Sequence, residues 1–98
     1  MSRTIRVIAH IKALPDHVSE VQQILMTLIE PTRKEPGCIQ YQLYQNLADK
    51  TDFTFVEEWE NNSFIDVHLQ SAHLAKVITQ ISGLLATSAD IRRYNLLA

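Results

Sequence analysis

The sequence predicts an α+β domain whose elements follow the order β-α-β-β-α-β. Four short stretches alternate apolar and polar residues, as half-buried strands do. Two longer segments repeat apolar residues at spacings of three and four, as amphipathic helices do. Proline, glycine and polar clusters separate these segments. This order is that of the split β-α-β, ferredoxin-like arrangement, in which the helical layers cover one face of a four-stranded antiparallel sheet.

The first strand is predicted over residues 4–13, where one face carries the apolar residues Ile5, Val7, Ala9 and Ile11. Pro15 and Asp16 end this strand and start a helix, since proline is tolerated in a helix's first turn. The apolar stripe of that helix consists of Val18, Val21, Ile24, Leu25, Leu28 and Ile29. The stripe fades at Pro31, and Pro36-Gly37 ends the helical region.

The second half of the chain is predicted to open with a β-hairpin. Residues 38–45 and 53–60 both alternate, and the polar segment NLADKTD joins them. Asn61, Asn62 and Ser63 suit the N-terminal cap of a helix. A further helix follows, marked by Leu74, Val77, Ile78 and Ile81 and closed near Gly83. Residues 89–97 form the predicted last strand.

Length and composition indicate one globular domain over residues 1–98. The chain has 98 residues, 46% hydrophobic content and a formal net charge of −2. The sequence has no basic patch interleaved with aromatic residues, which argues against a nucleic-acid partner. It has no apolar run of membrane-spanning length and no signal-like N-terminus, which argues against a membrane partner. A lone Cys38 excludes an internal disulfide framework. These features predict a cytoplasmic protein.

One face of the predicted sheet has no helix to cover it. Ile8, Tyr44 and Val56 lie on that face. An uncovered sheet face that carries apolar residues needs a partner, and a second copy of the same chain is the simplest one. We therefore expect a homodimer that packs sheet against sheet.

The candidate site lies between Phe53 and His73. Phe55, Glu57 and Trp59 share one face of a strand. Phe64 and His68 are four residues apart, and hence on one side of the following helix. Three of the candidate residues also have a purely structural interpretation. Trp59 could be a core residue, and His68 and His73 could be histidines that only form structural hydrogen bonds. Glu57 is the most informative, because a carboxylate on a buried face is costly unless it is paired or hydrated.

Metal and phosphate sites have little support in the sequence. His68 and His73 are five residues apart rather than four, and no cluster has the spacing of a zinc site. The chain has only two glycines, so a glycine-rich phosphate loop is excluded. We therefore expect no metal and no cofactor.

Three stretches resemble the antibiotic-biosynthesis-monooxygenase family of small dimeric α+β-barrel proteins. These are EPGCIQY at 35–41, FVEEWE at 55–60 and HLQSAH at 68–73. The resemblance implies a pocket between the sheet and the helices. It implies that the strand side chains lining this pocket are those of Tyr41, Phe55, Glu57 and Trp59, opposite His68 and His73. Phe64, which shares a helix face with His68, is expected to bind the substrate with them. The haem-degrading branch is disfavoured, since His68 stands where that branch has an aromatic residue.

The resemblance and the residues together predict a cofactor-independent monooxygenase acting on a small aromatic substrate, such as a quinol or phenol. A histidine general base, His68 before His73, would deprotonate the substrate. An isomerase of a small phosphorylated signalling molecule is the alternative, with Arg33, Lys34, Arg92 and Arg93 as candidate phosphate clamps. A non-catalytic dimer that binds a small ligand is the third hypothesis.

Overall fold

The computed structural model describes residues 3–98 and has the predicted order of elements. Strand β1 spans Ile5–Lys12, and a short 3-10 turn, Pro15–His17, leads into helix α1, Val18–Met26. Helix α2, Ile29–Arg33, precedes the hairpin of β2, Cys38–Gln45, and β3, Asp52–Trp59. Helices α3, Asn62–Leu69, and α4, Ala72–Ile81, follow, and β4, Asp90–Tyr94, ends the fold.

The four strands form one antiparallel sheet in the order β2-β3-β1-β4. The two central strands, β1 and β3, pair along their whole length, from Ile5 opposite Trp59 to Lys12 opposite Asp52. Because side chains alternate across a strand, this register places Val7 and Glu57 as neighbours on the same face. The α+β, ferredoxin-like prediction is confirmed.

The core lies between the inner face of the sheet and the helices. The alternating strand residues Val7, Ala9, Ile11, Phe53, Phe55 and Trp59 are all buried there. From the helical side the buried residues are Val21, Leu25, Ile65, Val77 and Ile81, which continue the apolar stripes seen in the sequence. Burial of these two surfaces against each other is the main force that holds the helices on the sheet.

Two element boundaries differ from the prediction. The first helical region is not one helix but two, because the backbone N–H groups of Thr27 and Leu28 bond three residues back, to Ile24 and Leu25, instead of four. Pro31 then lies in the first turn of α2, where its missing N–H costs nothing. The last strand is shorter than predicted, since only Asp90–Tyr94 pairs with β1.

The outer face of the sheet carries no helix in the single chain. Ile8 and Val56 lie opposite each other there, and both are partly exposed; Tyr44 on the same face is 52% exposed. The homodimer predicted from these residues stays a prediction. Within residues 3–98, no helix combines the length and the apolar character that crossing a bilayer requires.

Candidate active site

A cavity of about 830 Å³ lies between the inner face of the sheet and the helices. Its wall is mostly aliphatic, with Val7, Ala9 and Ile11 from β1 and Val77, Ile78 and Ile81 from α4. Three residues with ionisable side chains line it among those the structure describes: Tyr41, Glu57 and His68. None of the described lining residues is arginine or lysine. The cavity therefore suits a largely apolar ligand held by a few polar groups.

Glu57 is the buried carboxyl of this wall. It is 5% exposed, and its Oε1 accepts a hydrogen bond of 2.8 Å from Trp59 Nε1–H. Burial raises the pKa of Glu57 to about 7, and the nearby Glu35 acts in the same direction. The Trp59 hydrogen bond opposes this shift but is the smaller effect. Glu57 is consequently near half protonation at neutral pH.

His68 reaches the cavity from the last turn of α3. That helix begins at its cap residue Asn61, whose side chain accepts a hydrogen bond from the backbone N–H of Phe64. The residue is 4% exposed, and its imidazole packs against two aromatic rings. Its centroid lies 4.9 Å from that of Trp59 and 5.7 Å from that of Tyr41. These contacts and the burial of the residue restrict the orientation of the ring.

Glu35 joins the two histidines. One carboxylate oxygen, Oε2, lies 2.7 Å from His68 Nδ1 and also 2.7 Å from His73 Nε2. A carboxylate can only accept hydrogen bonds, so each ring nitrogen donates to it. Glu35 sits in the turn after α2, which is closed by the Cys38 N–H donating to the Glu35 carbonyl oxygen and by Gly37 at a φ of +82°.

The Glu35 contact determines which nitrogen of His68 is free. Nδ1 carries the proton that it donates to Glu35, so in the neutral ring Nε2 has the lone pair. Nε2 has no hydrogen-bond partner among residues 3–98. A histidine whose Nδ1–H is held by a carboxylate, with Nε2 open, is the arrangement of a general base.

The structure brings most of the predicted site residues together. Tyr41, Phe55, Glu57 and His68 line the cavity. Trp59 lies behind that wall and is fully buried. Its indole contacts the His68 ring and donates a hydrogen bond to Glu57. His73 lies off the cavity and meets the site through Glu35. Phe64, like Trp59, is not among the residues that line the cavity; it packs against Gly37, and its predicted role in substrate binding stays a prediction.

Glu35 is the functional residue that the sequence analysis missed. It contacts residues 33 and 38 positions further along the chain, and no local pattern reports such a contact. The only signal was its position at the start of EPGCIQY, one of the stretches that carried the family resemblance. Together with His68 and His73 it forms the one group of three potential metal ligands found among the described residues.

Two other ionisable groups near the site are held in their neutral forms. Burial, reinforced by the charge of Glu57, raises the pKa of the Tyr41 phenol far above its ordinary value of 10.0. Burial likewise raises the pKa of the Cys38 thiol to about 11. Tyr41 therefore contributes a neutral hydroxyl to the wall, and Cys38 lacks the thiolate character of a nucleophile.

Comparison with known proteins identifies the family. The family model described as antibiotic biosynthesis monooxygenase matches residues 4–80 of this chain. The Synechocystis protein sll1783 is 36% identical over 90 residues; these cover 92% of this chain but only 61% of sll1783. Rv0793 of Mycobacterium tuberculosis is 33% identical over 85 residues, which cover 87% of this chain and 83% of Rv0793.

Solved structures agree with the sequence matches. The crystal structure of PA3566 from Pseudomonas aeruginosa superposes with a TM-score of 0.93 at 31% identity, covering 100% of this chain and 98% of that one. The structure of Rv0793 superposes with a TM-score of 0.90. The chain belongs to the antibiotic biosynthesis monooxygenase family. The chain spans less than two thirds of sll1783, so that protein is longer than the family domain found here.

Proposed function

We propose that the protein is a monooxygenase that oxidises a small quinol-like or phenol-like substrate in the cavity, with His68 as its general base. The observation that carries this proposal is that His68, on the wall of an apolar cavity, is hydrogen-bonded through Nδ1 to the Glu35 carboxylate behind it. Membership of the family supports the reaction class, and the geometry of His68 supports the role of the residue.

The first step is proton abstraction. His68 Nε2 takes the hydroxyl proton of the substrate, and the carboxylate of Glu35 stabilises the imidazolium that forms. The substrate anion then passes electrons to dioxygen, and a carbon–oxygen bond forms at a ring carbon that bears hydrogen. The imidazolium of His68 returns its proton to the peroxide, which becomes a hydroperoxide and leaves the base free again. Loss of water from the hydroperoxide leaves a carbonyl. One oxygen atom enters the product and the other leaves as water.

The wall supports this chemistry in two ways. Tyr41 and Phe55 stack with ring centroids 5.1 Å apart and offer an aromatic surface to a planar ring. Glu57, when protonated, donates a hydrogen bond without adding charge that would repel the substrate anion. The remainder of the wall is mostly aliphatic and therefore offers few groups that would hold water beside the reacting atoms.

The phosphorylated-substrate alternative lacks its cationic clamp. Arg92 pairs with Asp90, and Lys34 lies 4.0 Å from Glu30. Arg93 donates hydrogen bonds to Asn62 and Asp66, and Arg33 donates one to the backbone carbonyl oxygen of Tyr41. None of the four lines the cavity. A dianionic phosphate in this cavity would meet no positively charged lining residue except a protonated His68.

Oxygen uptake tests the proposal. The purified chain, treated with a chelator, is assayed in an oxygen electrode against a panel of quinols, naphthols and anthrones, and the products are analysed by mass spectrometry. We expect catalysed uptake with at least one class, with one oxygen atom from ¹⁸O₂ in the product. Saturable binding of these aromatics without uptake would instead establish a binding module and contradict the proposal.

A further inference from the structure

A second kind of chemistry is available at Glu35, His68 and His73. Two imidazoles and a carboxylate are a donor set of catalytic zinc sites and of non-haem iron sites. In this chain the three potential ligand atoms lie within 4.8 Å of one another. We propose that Glu35 Oε2, His68 Nδ1 and His73 Nε2 bind one divalent first-row transition-metal ion, with Zn²⁺ as the simplest probe.

The distances fit with little movement. Zinc sites hold nitrogen and oxygen ligands about 2.0–2.2 Å from the ion, which places neighbouring ligand atoms about 3 to 3.5 Å apart. The two nitrogen–oxygen separations are 2.7 Å each. Opening them by less than about 1 Å makes room for an ion in place of the two bridging protons. The third separation, between the two ring nitrogens, is at most 4.8 Å and must close to about 3 to 3.5 Å if it is longer.

The break between α3 and α4 explains why the sequence spacing concealed this cluster. On one continuous helix, residues five apart point in directions about 140° apart and do not share a ligand. Here α3 ends at Leu69, and Ser71 caps α4 by accepting a hydrogen bond from the Leu74 N–H. His68 therefore lies in the last turn of one helix and His73 in the first turn of the next, and both rings contact Glu35.

Burial leaves an open side for the ion. The side chain of His68 is 5% exposed and that of Glu35 12%, while that of His73 is 26% exposed. The ion can arrive from the His73 side and keep water as its remaining ligand. His68 Nε2 and His73 Nδ1 have no hydrogen-bond partners among residues 3–98. Since missing outer partners typically weaken metal sites 10- to 100-fold each, the affinity should fall below that of structural zinc sites.

Metal binding would also act on the proposed reaction, and this consequence rests on the proposed function. An ion on Nδ1 displaces the proton held between His68 and Glu35. The ring can then be neutral only with its proton on Nε2, and the lone pair that serves as the base is lost. Zn²⁺ should therefore inhibit turnover. Activation by Zn²⁺ would contradict the metal-free reaction while supporting the metal site.

Equilibrium dialysis with Zn²⁺ and visible absorption with Co²⁺ test the site directly, in the untagged, chelator-stripped chain and without substrate. We expect one ion per chain and the absorption of a low-coordinate Co²⁺ site. Glu35→Gln and His73→Gln should each weaken binding at least about tenfold. His17→Gln is the matched control, because His17 and Glu20 form an exposed histidine–carboxylate pair at 3.0 Å outside the cluster.

A loss of metal binding must be distinguished from a failure of the variant to fold. His73 is partly exposed, so His73→Gln should fold even if Glu35→Gln does not, and circular dichroism checks both. Absence of saturable binding in the parent chain overturns the proposal. Parental affinity in a folded His73→Gln variant, or loss of binding in His17→Gln, does so as well.

Discussion

At the scale of single residues, one carboxylate oxygen organises the site. Glu35 Oε2 holds His68 and His73 at equal distances of 2.7 Å, and this fixes the tautomer of His68. Glu57, the other carboxyl, is held instead by the indole of Trp59 and faces the cavity. The two acids thus have separate tasks: Glu35 orients a base, and Glu57 contributes a carboxyl that titrates near neutral pH.

Glu57 should make the stability of the fold depend on pH. Its pKa rises from 4.5 to about 7 on folding, so the folded chain holds the proton more tightly than the unfolded chain. The resulting stabilisation is fully present below pH 4.5 and is lost as the pH rises through about 7. It amounts to on the order of 3 kcal/mol.

Glu57→Gln removes this titration while keeping an oxygen that accepts the Trp59 hydrogen bond. We expect the variant to be more stable than the parent at pH 8, measured by denaturant unfolding across pH 4 to 8. Glu58→Gln, the neighbour on the outer face that accepts from Thr4, serves as the control and should keep the parental slope. An unchanged slope in Glu57→Gln would show that Glu57 does not carry the dependence.

At the scale of elements, the turn between α2 and β2 places Glu35. Gly37 has a φ of +82°, and a Cβ built on it would overlap the ring of Phe64. Gly83, after α4, has the same φ of 82° but no atom within 4 Å of such a Cβ. The two glycines form a matched pair, because they share the backbone penalty and differ in packing.

We expect Gly37→Ala to destabilise the fold more than Gly83→Ala. Both variants bear the cost of alanine in the left-handed region, roughly 1–2 kcal/mol. Gly37→Ala adds overpacking against Phe64, typically 1–3 kcal/mol. Urea unfolding of both variants measures the difference. Equal losses would mean that α3 moves aside without cost and that the Phe64 contact does not fix the turn.

Most elements could be predicted from sequence because their signals are local. Alternating apolar and polar residues indicated β1, β2 and β3, and apolar residues three and four positions apart indicated α1 and α4. The burial of Phe55, Glu57 and Trp59 followed from the same alternation. The contact between Phe64 and Gly37 was not predicted, because helix spacing gives the direction of a side chain but not the neighbour that it meets there. Glu35 was missed because its partners are distant in the chain and its turn has no period.

At the scale of the whole molecule, the outer face of the sheet is not covered by a helix of the described chain. Ile8 and Val56 pair across β1 and β3 at its centre, with Tyr44 nearby. We propose that a second copy covers this face. Sedimentation at micromolar concentration should show a species of twice the 11.2 kDa chain mass.

Val56→Glu should dissociate this dimer, because an unpaired charge buried in the interface is costly. Val67→Glu is the control, since Val67 is an apolar residue of α3 that is 63% exposed, away from the sheet. It should leave the sedimentation coefficient unchanged. If the parent chain sediments only as a species of 11.2 kDa, the proposed dimer is contradicted.

The role of His68 as the base is tested by the oxygen-dependent turnover of His68→Gln beside that of the parent. Glutamine keeps a similar size and some hydrogen bonding to Glu35 but removes the base. We expect turnover to fall at least about tenfold, roughly 1.4 kcal/mol of transition-state stabilisation, with an unchanged circular dichroism spectrum. The control His17→Gln changes a histidine outside the site and should keep the parental rate. Parental turnover in His68→Gln would show that His68 is not the base.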